Sequence, residues 1–105
     1  MNLGNMMKQA KEMQAKMAEA DRNIESIQVE GVAAGGAVKV ILNGKGVPQS
    51  FKIDASMAGE DMEILEDLLI AAYNDGKKKA DDESAKEMSK ATSGLRLPPG
   101  MNFPF

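Results

Sequence analysis

The 105-residue chain has no cysteine and no histidine. That excludes disulfides, thiol nucleophiles, imidazole bases and most zinc, copper or haem ligation. It has no tryptophan, one tyrosine and three phenylalanines, two of which are Phe103 and Phe105. Such a chain offers no aromatic platform for stacking single-stranded bases. No apolar run approaches the roughly 18 residues that would span a bilayer, and Met1 to Asn5 do not open a secretory signal. The expectation is a cytoplasmic protein without a membrane partner. One small domain is all that this length supports, and at this size self-association is a natural source of extra burial, so a homo-oligomer is expected.

Acidic side chains outnumber basic ones by 16 to 13, for a net charge of -3, but the charges are sorted along the chain. Residues 31–53 hold three basic side chains and no acid, residues 54–75 hold seven acids and no base, and residues 76–105 hold six bases and four acids. The global sign therefore sets background repulsion while local patches select partners.

From Leu3 to Ile27 the apolar positions Met6, Ala10, Met13, Met17, Ala20, Ile24 and Ile27 recur at alternating steps of four and three. With good helix formers between them, they predict one long amphipathic helix over 1–27. The period then changes to two, and residues 27–54 predict a three-stranded antiparallel meander. A first strand ends at Gly31, Gly31 to Gly36 form a turn, and Asn43-Gly44 marks a hairpin that Lys45-Gly46 lengthens. Pro48 places the third strand at an edge or at its own start. A second helical pattern opens at Glu60 with Met62, Leu65, Leu69, Ala72 and Gly76. Gly76 marks either a close packing contact or a joint between two helical pieces. Beyond it Ala80, Ser84, Met88 and Ala91 form a weak stripe, expected to be helical but exposed. Residues 93–105 form a tail that Pro98-Pro99-Gly100 keeps from being helical throughout. Its apolar residues fall at every second position, from Leu95 to Phe105, which favours an extended edge that docks. The fold class is α+β: a long N-terminal helix, a three-stranded antiparallel sheet, C-terminal helices and an extended tail, in a single domain over 1–105.

No enzyme constellation is present. Gly44-Lys45 lacks the glycine five positions earlier and the following Ser or Thr of a phosphate loop. The acids Glu60, Asp61, Glu63, Glu66 and Asp67 lack the spacing and central glycine of a calcium loop. The serines have no histidine to activate them. No cofactor, metal or small-molecule substrate is expected. The nine methionines include Met6, Met13 and Met17, which with Ile24 lie on the first helix's seam. A short meander cannot cover a seam three heptads long, so these four residues are expected at a dimer interface. Lys8, Lys11 and Arg22 share the outer face of that helix, with Lys16 beside the seam. Lys77, Lys78, Lys79, Lys86 and Lys90 line the C-terminal helix and Arg96 lies in the tail. Duplicated in a homodimer, these ten basic residues are candidate phosphate contacts to double-stranded DNA, with weak base selectivity. The alternative is a protein-interaction module that uses the methionine seam and the apolar tail without touching DNA.

Several stretches together resemble the YbaB/EbfC family of bacterial nucleoid-associated proteins. They are Met6-Met7-Lys8-Gln9-Ala10 with Met13 to Met17, Val38-Lys39-Val40 to Asn43-Gly44, and Ile53-Asp54. Leu65-Glu66-Asp67-Leu68, Ala71-Ala72-Tyr73-Asn74-Asp75 and the ending Ser93-Gly94-Leu95-Arg96-Leu97-Pro98-Pro99-Gly100 complete the set. The resemblance covers essentially the whole chain. It implies a helix, a three-stranded sheet and C-terminal helices, a homodimer whose helical arms project as tweezers, and binding to double-stranded DNA in the nucleoid. It supplies no short DNA-reading motif, so the basic residues named above rest on the chain's own pattern.

Overall fold

A computed structural model describes residues 2–92. Helix α1 (Leu3–Ser26) leads into strand β1 (Gln28–Ala33), a 3-10 turn (Ala34–Gly36), strand β2 (Val38–Asn43) and strand β3 (Pro48–Ile53). A second 3-10 turn (Ala55–Met57) then precedes helix α2 (Met62–Thr92). The Asn2 side chain accepts the Gly4 N–H at 3.0 Å, supplying an N-cap for α1. The strands form an antiparallel sheet in the order β1-β2-β3, as the meander pattern predicts. Asn43 shapes the β2–β3 turn by accepting N–H groups from both Lys45 and Val47, at 2.9 and 3.0 Å. Pro48 opens an edge strand, where its missing N–H costs no ladder bond.

The core follows from strand alternation. Val38, Val40 and Leu42 project from β2 on one face and are fully buried, with Val29, Ala33, Leu68, Leu69 and Tyr73 packed around them and Ala72. Two sequence expectations change here. Strand β1 runs on to Ala33 instead of stopping at Gly31, and only Ala34 to Gly36 turn. Gly31 stays within the strand because α2 crosses it there: a Cβ at Gly31 would lie 2.6 Å from the Gly76 backbone nitrogen and collide with the Ala72 carbonyl. Gly76 is the other side of this contact, its own Cβ position 3.2 Å from the Gly31 Cα and overlapping the Leu42 side chain. Helix α2 is therefore one continuous helix, and Gly76 is a packing contact and not a joint.

The C-terminal half of α2 is also not the exposed helix that its weak stripe suggested. Ala80 is buried, and Ser84, Met88 and Ala91 are half-buried, because this half lies antiparallel against α1. The Asn23 amide donates to Glu87 at 2.9 Å across the pair, and Lys16 and Ala20 share a cleft with Lys90 and Ala91. The seam of α1 thus meets α2 of its own chain. Ile24, expected at a dimer interface, is 3% exposed and closed off inside the protomer, whereas Met13 and Met17 are half-buried and Met6 is 49% exposed. The meander is indeed too short to cover the seam. A second helix of about 46 Å does so instead.

The molecule is drawn out to 70 × 24 × 17 Å, with a Cα radius of gyration of 19.5 Å. A compact chain of this length would have about 13 Å. The first ten or so residues of α1 run on past the last described turn of α2, a projection of about 15 Å. At the other pole Glu60 and Asp61 precede α2, and Glu63 lies in its first turn, so the helix starts two residues later than the sequence pattern suggested. Positive arm and acidic base are separated along the long axis.

Candidate functional site

At about 100° per residue, Lys8, Lys11 and Arg22 fall within an arc of about 60° on α1, directly opposite the arc of Met13, Met17, Ala20 and Ile24. Packing the seam against α2 therefore aims these cations at solvent. All three are exposed, as is Lys16 on the flank. Among the described residues, none of the four lies within 4 Å of a carboxylate. Lys8 and Lys11 also border a shallow groove of about 550 Å³ together with Gly4, Met7, Glu12 and Ala15.

The basic residues of α2 are placed differently. Lys77 is paired with Asp81, and its stem lies over Gly46 of the hairpin turn. The Asp81 carboxylate raises the Lys77 pKa. Lys79 donates to Asp75 at 2.9 Å and to the Glu30 carbonyl of β1 at 2.9 Å. Asp75 in turn accepts the Val32 N–H at 2.9 Å, and this bond first, then Lys79, lowers its pKa. Together Asp75 and Lys79 satisfy outward-facing backbone groups on the free edge of β1, which an edge strand otherwise offers to other chains. Lys86 pairs with Glu83 at 3.2 Å, and Lys90 with Glu87 at 3.6 Å. Lys78 alone of the five points away from the sheet without an ion pair among the described residues. Arg96 lies outside the described residues, as does the apolar tail.

The structure thus assembles four of the sequence-predicted cations into one unpaired array on α1, and commits most of the others to contacts within the fold. Sequence reasoning passed over Lys45. This lysine donates to Asp21 at 3.1 Å and Glu25 at 3.2 Å, partners 24 and 20 positions away that no local pattern links to it. Among the described residues, no group of three or more His, Cys, Asp or Glu is placed to hold a metal ion. No helix of the described residues is long and apolar enough to cross a membrane.

A second surface is apolar. Phe51 and Ile53 pair with Val40 and Val38 and so share their face of the sheet, but α2 covers β1 and β2 and stops short of β3. Phe51 and Ile53 are left 49% and 45% exposed, and at the start of α2 Met62 and Ile64 are 67% and 45% exposed.

Comparison with known proteins gives a consistent result. The profile of the YbaB/EbfC DNA-binding family matches residues 1–95. A nucleoid-associated protein of Rhodospirillum centenum is 50% identical over 105 residues, covering 99% of this chain and 98% of that protein. One of Agrobacterium fabrum is 50% identical over 101 residues, covering 95% and 94% respectively. The crystal structure of an uncharacterized protein from Helicobacter pylori matches with a TM-score of 0.73 at 26% identity, over 90% of this chain and 99% of that one.

Proposed function

The chain belongs to the YbaB/EbfC DNA-binding family, and from that premise we propose that it binds double-stranded DNA as a homodimer in the cytoplasm, associated with the nucleoid. The family is one of DNA-binding proteins and not of enzymes. The observation that carries the proposal is the array of Lys8, Lys11, Lys16 and Arg22, exposed and unpaired among the described residues on a projecting helix. Cations on a helix face reach phosphates, which carry no base identity, so sequence selectivity is weak and binding is governed by counterion release. The arm lies at the far pole from the acids that make the chain net negative, and screening over about 10 Å keeps those acids from opposing it. Lys78 adds a lesser contact, and the paired lysines of α2 contribute mainly to the fold. Binding of this kind affects nucleoid organisation and gene expression.

The homodimer uses the uncovered apolar side of β3 with Phe51 and Ile53 and the start of α2 with Met62 and Ile64. It supersedes the α1 seam as the proposed contact, since Ile24 is closed off within one chain. Dimerisation there leaves both α1 arms free.

Titrating duplex DNA at several salt concentrations tests the reading. Log affinity should fall linearly with log salt, by about 0.9 for each phosphate contact. No detectable binding at low ionic strength, or binding indifferent to salt, overturns it. Sedimentation should give a dimer, and Phe51→Glu should give a monomer. A monomeric wild type overturns the dimer.

A further inference from the structure

The hairpin turn between β2 and β3 is pressed against the last turns of α1. The Gly44 N–H donates to the Ile24 carbonyl at 3.0 Å, and a Cβ at Gly44 would collide with that same oxygen. Backbone meets backbone, and the next residue, Lys45, is carried to where its Nζ reaches two carboxylates one turn apart on α1. The distances are 3.1 Å to Asp21 and 3.2 Å to Glu25. The Asp21 and Glu25 side chains remain 55% and 57% exposed, so they lie at the surface, with one lysine offsetting one of their two negative charges.

Their position matters because Arg22 lies between them in sequence. Around the helix, Glu25 is only about 60° from Arg22 and Asp21 about 100° from it. Left alone, the two acids would outnumber Arg22 in this stretch and lie within a screening length of it. With Lys45 in place the charges of Arg22, Asp21 and Glu25 are balanced, and without it the base of α1 is anionic, although Lys45 belongs to another element.

We infer that Lys45 is a charge-masking residue for nucleic-acid binding: without touching the duplex, it is shared between Asp21 and Glu25 and offsets one of their two negative charges, so that the acids at the base of α1 do not outweigh Arg22. This rests on the reading of α1 as the phosphate-contacting helix. Masking differs from direct contact in a measurable way. A lost phosphate contact weakens binding whether or not the two acids are present, whereas losing the mask weakens binding only while the acids are there to repel the duplex.

The test uses the full chain and a duplex of mixed sequence, titrated over a range of salt. Lys45→Met should bind about fivefold more weakly at low ionic strength, the scale of surface charge interactions, a deficit that shrinks as salt screens the exposed acids. Adding Asp21→Asn and Glu25→Gln to that variant should restore affinity to within about twofold, while Lys45→Arg should bind as the parent does. Lys8→Gln with Lys11→Gln serves as the reference and should lower the slope by about 0.9 per contact. If Lys45→Met weakens binding as much in a chain already carrying Asp21→Asn and Glu25→Gln as it does in the parent, Lys45 is itself a phosphate contact and masking is wrong. If removing the two acids rescues nothing while the reference variant is impaired, Lys45 acts through the fold and masking again fails. A reference variant that binds like the parent overturns the phosphate reading of α1, and the masking inference with it.

Discussion

Helices α1 and α2 carry four and five basic side chains among the described residues, yet the fold treats the two sets in opposite ways. In α2 the lysines at 77, 79, 86 and 90 are paired with acids three or four residues away. In α1 Glu12 and Glu19 stand at the same spacings from Lys8, Lys16 and Arg22, and no pair forms within 4 Å. Spacing alone therefore does not decide pairing. An exposed pair gains little, because holding two long side chains costs rotamer entropy. In α2 that cost is partly met by tertiary contacts: Lys77 lies along Gly46, Lys79 is held by the Glu30 carbonyl, and Glu87 by Asn23. The projecting part of α1 has no such neighbours, so its cations remain open to a ligand. A conspicuous lysine run can be structural, while scattered lysines on an unsupported helix form the binding surface.

The sharpest way to break the α2 half of this contrast is at Gly76. If α2 is chiefly a structural element, Gly76→Leu should abolish the native fold, since the new side chain meets the Gly31 backbone and the buried Leu42 side chain. Overpacking usually costs about 1–3 kcal/mol. Here the opposing atoms include main chain, and the cost should reach the top of that range or beyond, a large part of a small domain's stability of about 5–15 kcal/mol. Circular dichroism should show no cooperative melt, while Lys78→Leu on the exposed face should melt like the parent. A parent-like melt for Gly76→Leu would mean that α2 is not pinned to β1 as described.

The next comparison sets the two helices against each other in binding. Replacing Lys8, Lys11 and Arg22 together by Gln should lower the salt slope by about 2.7 for each subunit in contact with the duplex and weaken binding to all duplexes alike. Replacing Lys77 and Lys79 by Gln should leave the slope within about 0.5 and lower the melting temperature, because Lys79 closes the edge of β1. The opposite result, a slope lost with the α2 pair and kept with the α1 triple, would transfer the binding surface to α2.

These contrasts also mark what could be read from the residues alone. The helical seam, the period-two strands and the Asn43-Gly44 turn are local patterns, and the elements form where those patterns place them. What covers the seam is not local. Ala80, Ser84, Met88 and Ala91 make a weak stripe because the α1–α2 contact is narrow and built largely from small residues, so the stripe understated the burial of Ala80 and Ile24. Gly31 looked like a turn residue because close approach and positive φ both call for glycine, and only the position of α2 separates the two. The cations of α1 were legible from helical periodicity. Their freedom was not, because it depends on what the fold brings near them: Glu25, three residues from Arg22, is engaged by Lys45 from across the fold.

The smallest expected effect separates the edge latch of α2 from the open charges of α1 by pH. Asp75 accepts the Val32 N–H and the Lys79 ammonium, and both hold its pKa below the ordinary carboxylate value. A carboxylate depressed in the folded state stabilises the fold above its unfolded pKa, about 4, and that contribution is lost as pH falls through the lower folded value. The urea midpoint of the parent should therefore exceed that of Asp75→Asn at pH 7. The gap should narrow progressively below about pH 4 and close once the folded-state carboxyl is protonated. Asp54, whose pKa is lowered by the Ser56 N–H, titrates in the same region but is present in both proteins and cancels from the difference. The α1 variant lacking Lys8, Lys11 and Arg22 should show no such convergence, because it keeps Asp75 as the parent does. A gap for Asp75→Asn that stays constant down to pH 2 would mean that the side chain's shape, and not its charge, holds α2 to the edge of the sheet.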